Sequence, residues 1–438
     1  PLVVGLGEGE NFLGSDVAAF VAYTKQAMEI GQDQAVCISG DHVIVTDFNG
    51  NPVKDSKRFT VDWDASAAEK GGWPSFMDKE IHEDPEAVAN TLLGRFDDQG
   101  DIVLDEVHIG LDVFRQVDKI IVVACGTASY AGMVAKYAIE HWVRIPVEVE
   151  LAHEFRYRDP ILTPRTLVVA ISQSGETMDT LMALRHAREQ GSRVLAICNT
   201  QGASIPRESD AVLYTHAGPE IAVASTKAFV AQIVAAYLLG LYLAQVKGTM
   251  YRDEIRHILE QLKDMPQKIQ WVLDNQAGNV EQAAKRMVNA HSFLFLGRHV
   301  GYPVALEGAL KLKEIAYTFT EGFAAGELKH GPIALVDAGE PVVVIVPSAR
   351  GRNILHNKVI SGIEEVKARG AFTIAVAELG DPDVEQYADV VFWRPVCPTL
   401  LSPLVDVVPL QLFAMDMAQL KGYDVDKPRN LAKSVTVE

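Results

Sequence analysis

A run of hydroxyl side chains directly follows an apolar segment near the middle of the chain. Residues 167–171 (Leu-Val-Val-Ala-Ile) are typical of a buried strand, and residues 172–177 (Ser-Gln-Ser-Gly-Glu-Thr) come next. A helical pattern follows, and the start of a helix offers unpaired N–H groups and partial positive charge. Because no Lys follows as in a P-loop, the pattern favours a sugar monophosphate over a nucleotide. Simple capping of a helix by Ser and Thr is the alternative.

A second set of candidates lies on a predicted helix at residues 306–315. Glu307, Lys311 and Glu314 are spaced at i, i+4 and i+7, which places them on one helical face. Nearby, residues 326–332 (Gly-Glu-Leu-Lys-His-Gly-Pro) add His330, whose imidazole can exchange protons near neutral pH. Together these segments form a candidate acid–base site. The alternatives are a solvated ladder of Glu–Lys pairs and an inert histidine in a turn.

Three further segments carry polar side chains that have little meaning when taken alone. Residues 125–127 (Cys-Gly-Thr) end a predicted strand, and residues 223–227 (Val-Ala-Ser-Thr-Lys) open a long apolar helical run. The tail at residues 426–438 contains Lys433, where a frayed terminus is the ordinary expectation. Their meaning depends on the elements that position them.

Strands and helices alternate from about residue 109 onward, which predicts a doubly wound parallel sheet. The pattern occurs twice, with landmarks that recur after 171 to 174 residues. These landmarks are Gly126 and Gly297, Glu154 and Glu327, and Ser174 and Ser348. We interpret the halves as a duplicated unit whose ligand binds beyond the carboxyl ends of the strands. Since only Ser348 of the hydroxyl-rich loop recurs, before residues 350–352 (Arg-Gly-Arg), we expect one phosphate site.

The segments outside the two halves follow other patterns. Residues 1 to about 65 are predicted to be rich in strands, including residues 1–6, 35–39 and 43–46. Residues 5–9 (Gly-Leu-Gly-Glu-Gly) resemble a dinucleotide loop only weakly, because no βαβ unit frames them. Residues 66–108 are interpreted as a linker with a helical segment, and about 250–285 as a helical bridge between the halves.

Composition limits the classes of function. The chain has 438 residues and a net charge of −18, which argues against a nucleic-acid partner. Its four cysteines (Cys37, Cys125, Cys198 and Cys397) fit no metal spacing and predict free thiols in a reducing, cytoplasmic compartment. Residues 228–246 approach the length of a membrane span, but we interpret them as the buried helix of an α/β domain without a membrane partner.

Together, these segments resemble the glucosamine-6-phosphate synthases, the isomerising glutamine:fructose-6-phosphate aminotransferases. The matching stretches are residues 125–127, 172–177, 223–229, 306–315, 326–332 and 428–438. The resemblance implies an α/β fold of two tandem SIS (sugar isomerase) domains, doubly wound with parallel sheets. These would follow the C-terminal remnant of an Ntn-type class II glutamine amidotransferase domain. The implied divisions are 1–65 (remnant), 66–108 (linker), 109–249 (SIS 1), 250–284 (bridge), 285–425 (SIS 2) and 426–438 (catalytic tail).

The resemblance also implies roles for single residues. Those that would hold the sugar phosphate are Thr127, Ser172, Gln173, Ser174 and Thr177, and those that would line the sugar are Val223, Ser225 and Ala432. Lys433 would form a Schiff base with C2 of fructose 6-phosphate, and Glu314, with Lys311 nearby, would move a proton between C1 and C2. His330 would open the sugar ring from the neighbouring subunit, which implies a homodimer. No cofactor or metal is implied.

Two departures from the family pattern carry consequences. Ala128 stands where many relatives have Ser, so slightly weaker substrate binding is expected unless Ser129 compensates. The family's glutaminase nucleophile is an N-terminal Cys, whereas this sequence begins at Pro1, which we interpret as the sign of a fragment. Ammonia for glucosamine 6-phosphate would then come from glutamine through the missing domain. The alternatives are a SIS-type sugar-phosphate deaminase or isomerase, and a sugar-phosphate sensor.

Overall fold

The computed structural model describes residues 2–31, 33–350 and 353–437. The expected strand position at Pro1, the Gly351 and Arg352 replacements in the second half, and the last tail residue Glu438 lie outside the described residues.

The first segment is built from antiparallel strands. Its strands are β1 (Leu2–Leu6), β2 (Asn11–Gly14), β3 (Gln26–Ile30), β4 (Gln34–Ile38), β5 (Val43–Asp47) and β6 (Arg58–Thr60). They form a four-stranded sheet in the order β2-β1-β3-β6 and a separate β4-β5 hairpin. The glycines of residues 5–9 lie where β1 turns into antiparallel β2, so they form no dinucleotide loop.

The segment between the first sheet and the first half contains helices, as the prediction of a linker with a helical part expected. It contains α1 (Phe76–His82) and α2 (Asp84–Leu92), after a 3₁₀ turn at Ala65–Ala68. Ser75 caps α1 through its side chain, which accepts a hydrogen bond from the Asp78 N–H. Pro85 lies in the first turn of α2, where its missing N–H costs no helical hydrogen bond.

The first half is a doubly wound sheet. Its strands are β7 (Lys119–Ala124), β8 (Val147–Leu151), β9 (Thr166–Ser172), β10 (Arg193–Cys198) and β11 (Ala211–Tyr214). Its helices are α3 (Leu111–Gln116), α4 (Thr127–Val143), α5 (Ala152–Phe155), α6 (Met178–Glu189), α7 (Ser204–Glu208) and α8 (Lys227–Lys247). All five strands are parallel and lie in the order β8-β7-β9-β10-β11. Strand β9 is buried along its whole length, as a central parallel strand must be.

The second half repeats this order after a helical bridge. The bridge is α9 (Arg252–Lys263) and α10 (Met265–Met287). The strands are β12 (Ser292–Gly297), β13 (Phe319–Ala324), β14 (Pro341–Ile345), β15 (Phe372–Glu378) and β16 (Val390–Arg394). The helices are α11 (Gly301–Ala316), α12 (Ile354–Lys367), α13 (Pro382–Tyr387), α14 (Pro403–Asp406) and α15 (Val408–Leu420). The parallel order β13-β12-β14-β15-β16 matches the first half strand for strand, which confirms the duplication.

One hydrophobic core runs through both halves. It includes Ile139 of α4, Tyr237 of α8, Phe295 of β12 and Phe413 of α15. Helix α8 is long and apolar enough to cross a membrane, but most of it is buried inside the protein. It is therefore a buried core helix, as the sequence analysis predicted for residues 228–246.

The two sheets place the polar loops at equivalent edges. In the first half the strand order reverses between β7 and β9, and at this edge Thr127 begins the helix after β7 while Ser172 ends β9. Ligands of doubly wound sheets bind in the crevice at such a switch point. The fold thus brings the hydroxyl-rich loop to the position where a ligand is expected.

Candidate active site

The loop after β9 is shaped by its own side chains. The Ser172 hydroxyl accepts a hydrogen bond from the Gly175 N–H at 3.0 Å and lies 3.2 Å from the Thr177 hydroxyl. The Ser174 hydroxyl accepts from the Glu176 N–H at 3.2 Å. Gly175 has a φ of +67°, and a Cβ there would lie 2.6 Å from the Ala203 side chain. Only glycine fits this turn, which sets the hydroxyls around the start of α6.

The tail lies across this loop. The N–H of Met178, the first residue of α6, donates to the carbonyl oxygen of Val435 at 3.0 Å. The helix start therefore does not present all its N–H groups freely, as the sequence pattern suggested, because the tail uses one of them. Gln173 faces the next loop, where its carbonyl oxygen accepts from the N–H groups of Asn199 and Thr200, both at 3.2 Å.

Lys433 is held by the loop that precedes α8. Its ammonium group donates to a Glu220 carboxylate oxygen at 2.6 Å and to the Ala222 carbonyl oxygen at 2.8 Å. Val223 joins the same region to the tail, because its N–H donates to the Asp426 carbonyl oxygen at 3.0 Å. The next tail residue back from the lysine, Ala432, is exposed.

Glu220 is a candidate site residue that the sequence analysis did not single out. Its fully buried carboxylate also accepts from Ser225 Oγ at 3.1 Å and from the N–H groups of Thr226 and Ala228 at 2.9 and 3.0 Å. Burial alone would raise the pKa of Glu220, but the Lys433 ammonium group and these hydrogen bonds hold it below its ordinary value. The sequence signal for Glu220 was an acidic residue shortly before a long apolar helix, because the partial positive charge at the start of a helix attracts an anion.

A cavity of about 200 Å³ opens beside this ion pair. Its walls include Gln173, Thr200, Glu220 and Lys433, together with Asp16 and Trp63 of the first segment. The first segment therefore closes one side of the space next to the lysine.

The charged face of α11 is buried against the first half. Glu307 and Lys311 have side-chain exposures of 0% and 1%, and Glu314 has 23%. Lys311 Nζ lies 2.6 Å from a Glu314 oxygen and 3.5 Å from a Glu307 oxygen. The interpretation of a solvated Glu–Lys ladder is therefore wrong for this face, because α11 packs against α4.

Thr127 joins this cluster from the opposite half. Its hydroxyl donates to Glu307 Oε1 at 3.2 Å and accepts from Lys311 Nζ at 3.0 Å. Burial raises the pKa of Glu307 to about 7 although the Lys311 ammonium group opposes the shift. Burial disfavours the charged form of Lys311, but Glu307 and Glu314 raise its pKa above the ordinary value, so it stays an ammonium group. The cluster can therefore hold an extra proton near neutral pH next to Glu314.

The structure also shows the surroundings of three other residues from the sequence analysis, Ser129, His330 and Ser348. Ser129 is buried and its hydroxyl donates to the Gly126 carbonyl oxygen at 2.7 Å, so it does not replace the hydroxyl absent at Ala128. His330 is exposed, and within the described ranges no residue forms a hydrogen bond with its ring. In the second half the Ser348 hydroxyl accepts from the Arg350 N–H, and Arg350 pairs with Glu378 at 2.5 Å.

One side-chain group in the described residues has the composition of a metal site. It consists of His356, Asp381 and Asp383. However, His356 Nε2 already pairs with Asp381 Oδ2 at 2.7 Å, and Asp381 Oδ1 accepts from the N–H of Asp383 at the start of α13. The group is explained as an ion pair that caps a helix, and we assign no metal to it.

Comparisons with known proteins agree with this architecture. The SIS domain family model matches residues 113–242 and 286–421. Glutamine--fructose-6-phosphate aminotransferase (isomerizing) of Corynebacterium efficiens is 66% identical over all 438 residues, which span 70% of that protein. The protein of the same name from Streptomyces coelicolor is 65% identical, over 71% of its length.

Solved structures give the same result. The C-terminal domain of glucosamine-fructose-6-phosphate aminotransferase from Francisella tularensis is 40% identical, with a TM-score of 0.77. It matches over its whole length and over 82% of this chain. A glucosamine-6-phosphate deaminase from Thermotoga maritima (TM-score 0.62, 22% identity) shares the fold over 82% of this chain and 99% of its own. With two SIS domains and relatives this similar along its full length, the chain belongs to the isomerising glutamine--fructose-6-phosphate aminotransferase family.

Proposed function

We propose that this chain is the sugar-phosphate half of an aminotransferase that converts fructose 6-phosphate and ammonia to glucosamine 6-phosphate. The observation that carries the proposal is the placement of Lys433. Its amine bonds the loop that precedes α8 and lines a cavity that Gln173 of the hydroxyl-rich loop also lines, and the same tail bonds the start of α6 through Val435.

Lys433 supplies the nucleophile. Its amine, once deprotonated, attacks the C2 carbonyl carbon of the open-chain sugar, and loss of water leaves an imine. Glu220 and the Ala222 carbonyl oxygen orient the nitrogen at 2.6 and 2.8 Å. The carboxylate of Glu220 is also the nearest acceptor for the proton that the amine must lose before it attacks.

Glu314 is the proposed acid–base group for the C1/C2 proton transfer. It is the one carboxyl group of the α11 cluster that is partly exposed, so substrate can reach it. A carboxylate suits this step because it takes a proton from one carbon and returns it to the other. The buried Lys311 lies 2.6 Å from Glu314 and holds it in place.

The phosphate and sugar contacts complete the proposed site. The phosphate would lie in the loop after β9, and the groups that would hold it are Thr127, Ser172, Gln173, Ser174 and Thr177. The groups that would line the sugar are Val223, Ser225 and Ala432. Of these, Thr127 and Ser225 already make hydrogen bonds to Glu307 and Glu220, so both would connect the substrate to the buried carboxyl groups of the site.

Three parts of the proposal concern other domains and subunits. The isolated, exposed His330 would open the sugar ring in the site of a second copy, so the active unit would be a homodimer. Ammonia would come from glutamine through a domain that precedes the first segment, and residues 1–65 would be its C-terminal remnant. The domain divisions at residues 65, 108, 249, 284 and 425 and a cytoplasmic location belong to the same proposal.

Borohydride trapping tests this function. The protein is incubated with fructose 6-phosphate, reduced with sodium borohydride, and digested for mass spectrometry of the tail peptide. We expect a hexose phosphate adduct on Lys433 and none in Lys433→Arg, which keeps the ion pair with Glu220. A coupled assay for glucose 6-phosphate from fructose 6-phosphate alone should show turnover that the same variant loses. Tight sugar-phosphate binding without an adduct would overturn the proposal and favour a sensor.

A further inference from the structure

Helix α1 connects two parts of the site that are far apart in sequence. The Asp426 carboxylate at the base of the tail accepts from the N–H groups of Phe76 and Met77 at 3.0 and 2.9 Å. The Asp426 carbonyl oxygen accepts from the Val223 N–H at 3.0 Å. A helix outside both sheets therefore anchors the start of the tail beside the loop that precedes α8.

Glu80, on the same helix, contacts the loop that binds Lys433. Its Oε1 accepts from the Ile221 N–H at 2.5 Å and from the Ala222 N–H at 3.2 Å. The carbonyl oxygen of Ala222 is one acceptor of the lysine, and the carboxylate of the preceding Glu220 is the other. One carboxyl group thus fixes the backbone between the two groups that hold the lysine.

Burying the carboxyl group of Glu80 costs free energy, so a contact that served packing alone would favour an apolar residue at this position. Glu80 is 1% exposed, and its Oε2 has no hydrogen-bond partner among the described residues. The titratable groups that face it include Glu220, Lys433 of the tail, Lys227 of α8 and Asp84 of α2. Burial and the neighbouring Glu220 raise the pKa of Glu80 to about 8, so it keeps a proton at pH 7. It then accepts the two N–H groups without placing a second anion beside Glu220.

We propose that Glu80 is a positioning residue for the Schiff-base lysine, acting by holding residues 220–222 so that Glu220 and Ala222 orient the Lys433 amine. The inference rests on the proposed role of Lys433 in the reaction. It assigns a role in the reaction to α1, a helix that lies outside both SIS domains.

Three variants test this role. Glu80→Ala removes the acceptor, and Glu80→Gln keeps an oxygen for the same two N–H groups in the shape of a protonated Glu. Glu86→Ala is the matched control, because Glu86 is exposed on the next helix. We expect Glu80→Ala to slow borohydride trapping at least tenfold, while affinity for fructose 6-phosphate changes less than threefold. Glu80→Gln and Glu86→Ala should trap within about threefold of wild type.

A second readout works without substrate. Acetic anhydride labels free amines, and the exposed Lys427 serves as an internal reference on the same tail. We expect Lys433 to react more slowly than Lys427 in wild type and Glu80→Gln, and at the same rate in Glu80→Ala. Wild-type trapping or labelling rates in Glu80→Ala would overturn the positioning role, as would a Glu80→Gln variant as impaired as Glu80→Ala. If wild type forms no adduct, the proposed function of Lys433 fails, and the labelling ratio then shows separately whether Glu80 holds the lysine in place.

Discussion

The carbonyl oxygen of Val435 accepts a hydrogen bond from the N–H of Met178 at 3.0 Å, so the tail covers the start of α6. The N–H groups at this helix start are natural donors to a phosphate. The Val435 carbonyl oxygen therefore occupies an N–H group that a phosphate bound by the loop could also use. Tail position and phosphate binding must be coupled at this point, and the coupling can be measured.

Removing residues 435–438 should separate the two roles. The Met178 N–H becomes free for a phosphate, so affinity for inorganic phosphate should stay the same or rise up to about fivefold, the effect of one hydrogen bond. Turnover should fall at least tenfold because Lys433 loses the contact that anchors the tail beyond it. Isothermal titration with phosphate and the glucose 6-phosphate assay measure the two effects. Val437→Ala, at an exposed position, is the control. A tenfold loss of phosphate affinity would instead show that the tail belongs to the phosphate site.

The turn at Gly175 should tolerate no side chain. Gly175→Ala would place a Cβ 2.6 Å from Ala203 Cβ and 2.9 Å from Cys198 Sγ, at a φ of +67°. Steric overlap adds to backbone strain of about 1 kcal/mol, so a loss of about 2–4 kcal/mol in unfolding free energy is expected. Gly191→Ala is the matched control, since its φ is +84° but nothing lies within 4 Å of the added Cβ. Urea unfolding should show a loss for the control of only about 1 kcal/mol. Equal losses in both variants would contradict the steric argument.

Much of the fold could be predicted from the sequence because its signals are local. Residues 167–171 are a continuous apolar run, and the central strand β9 that contains them is buried on both faces. The duplication was visible because Gly126 and Ser174 have counterparts at equivalent points of the second half, and the sheets repeat the same strand order.

The rest depended on contacts between distant residues. Glu80 lies in the segment predicted as a linker with a helical part, and its hydrogen-bond partner Ile221 is 141 positions away. The spacing of Glu307 and Lys311 is the same whether a helix face is solvated or buried. Only the packing of α11 against α4, with Thr127 as the contact, decides between the two.

Docking of the first segment onto the first half should depend on pH through His216. Its Nδ1 lies 2.7 Å from an Asp62 carboxylate oxygen, and hydrogen bonds to Asp62 and then Glu106 raise the pKa of His216 to about 9. A raised pKa stabilises the folded state fully below about pH 6.5, and this contribution is lost as pH rises through about 9. Because the ring is one-third exposed, we expect a contribution of only about 1–2 kcal/mol.

His216→Asn removes this titration and keeps the backbone, because His216 has a φ of +50° and Asn tolerates that region. Wild type should lose stability between pH 7 and pH 10, as measured by urea midpoints, and the variant should lose about 1–2 kcal/mol less over the same range. Parallel pH curves for the two proteins would exclude His216 as the titrating group.

The buried ion cluster on α11 should be destabilised strongly by loss of its cation. Lys311→Met keeps the length of the side chain but leaves Glu307 and Glu314 without their ammonium partner at 3.5 and 2.6 Å. Breaking a buried ion pair at one partner typically costs about 3–5 kcal/mol, because the remaining charge stays unpaired. Lys313→Met is the control, since Lys313 is exposed on the same helix and should change stability by less than about 0.5 kcal/mol.

The double variant Glu307→Gln/Lys311→Met distinguishes charge from packing. Removing both charges should recover at least half of the loss in unfolding free energy, because Glu307 is the fully buried carboxyl group that Lys311 neutralises. Proton transfer between C1 and C2 should remain impaired, since Glu314 still lacks the lysine that holds it in place. Solvent deuterium incorporation at C1 measures this step separately from borohydride trapping at Lys433. Full recovery of exchange in the double variant would show that Lys311 serves only to neutralise Glu307.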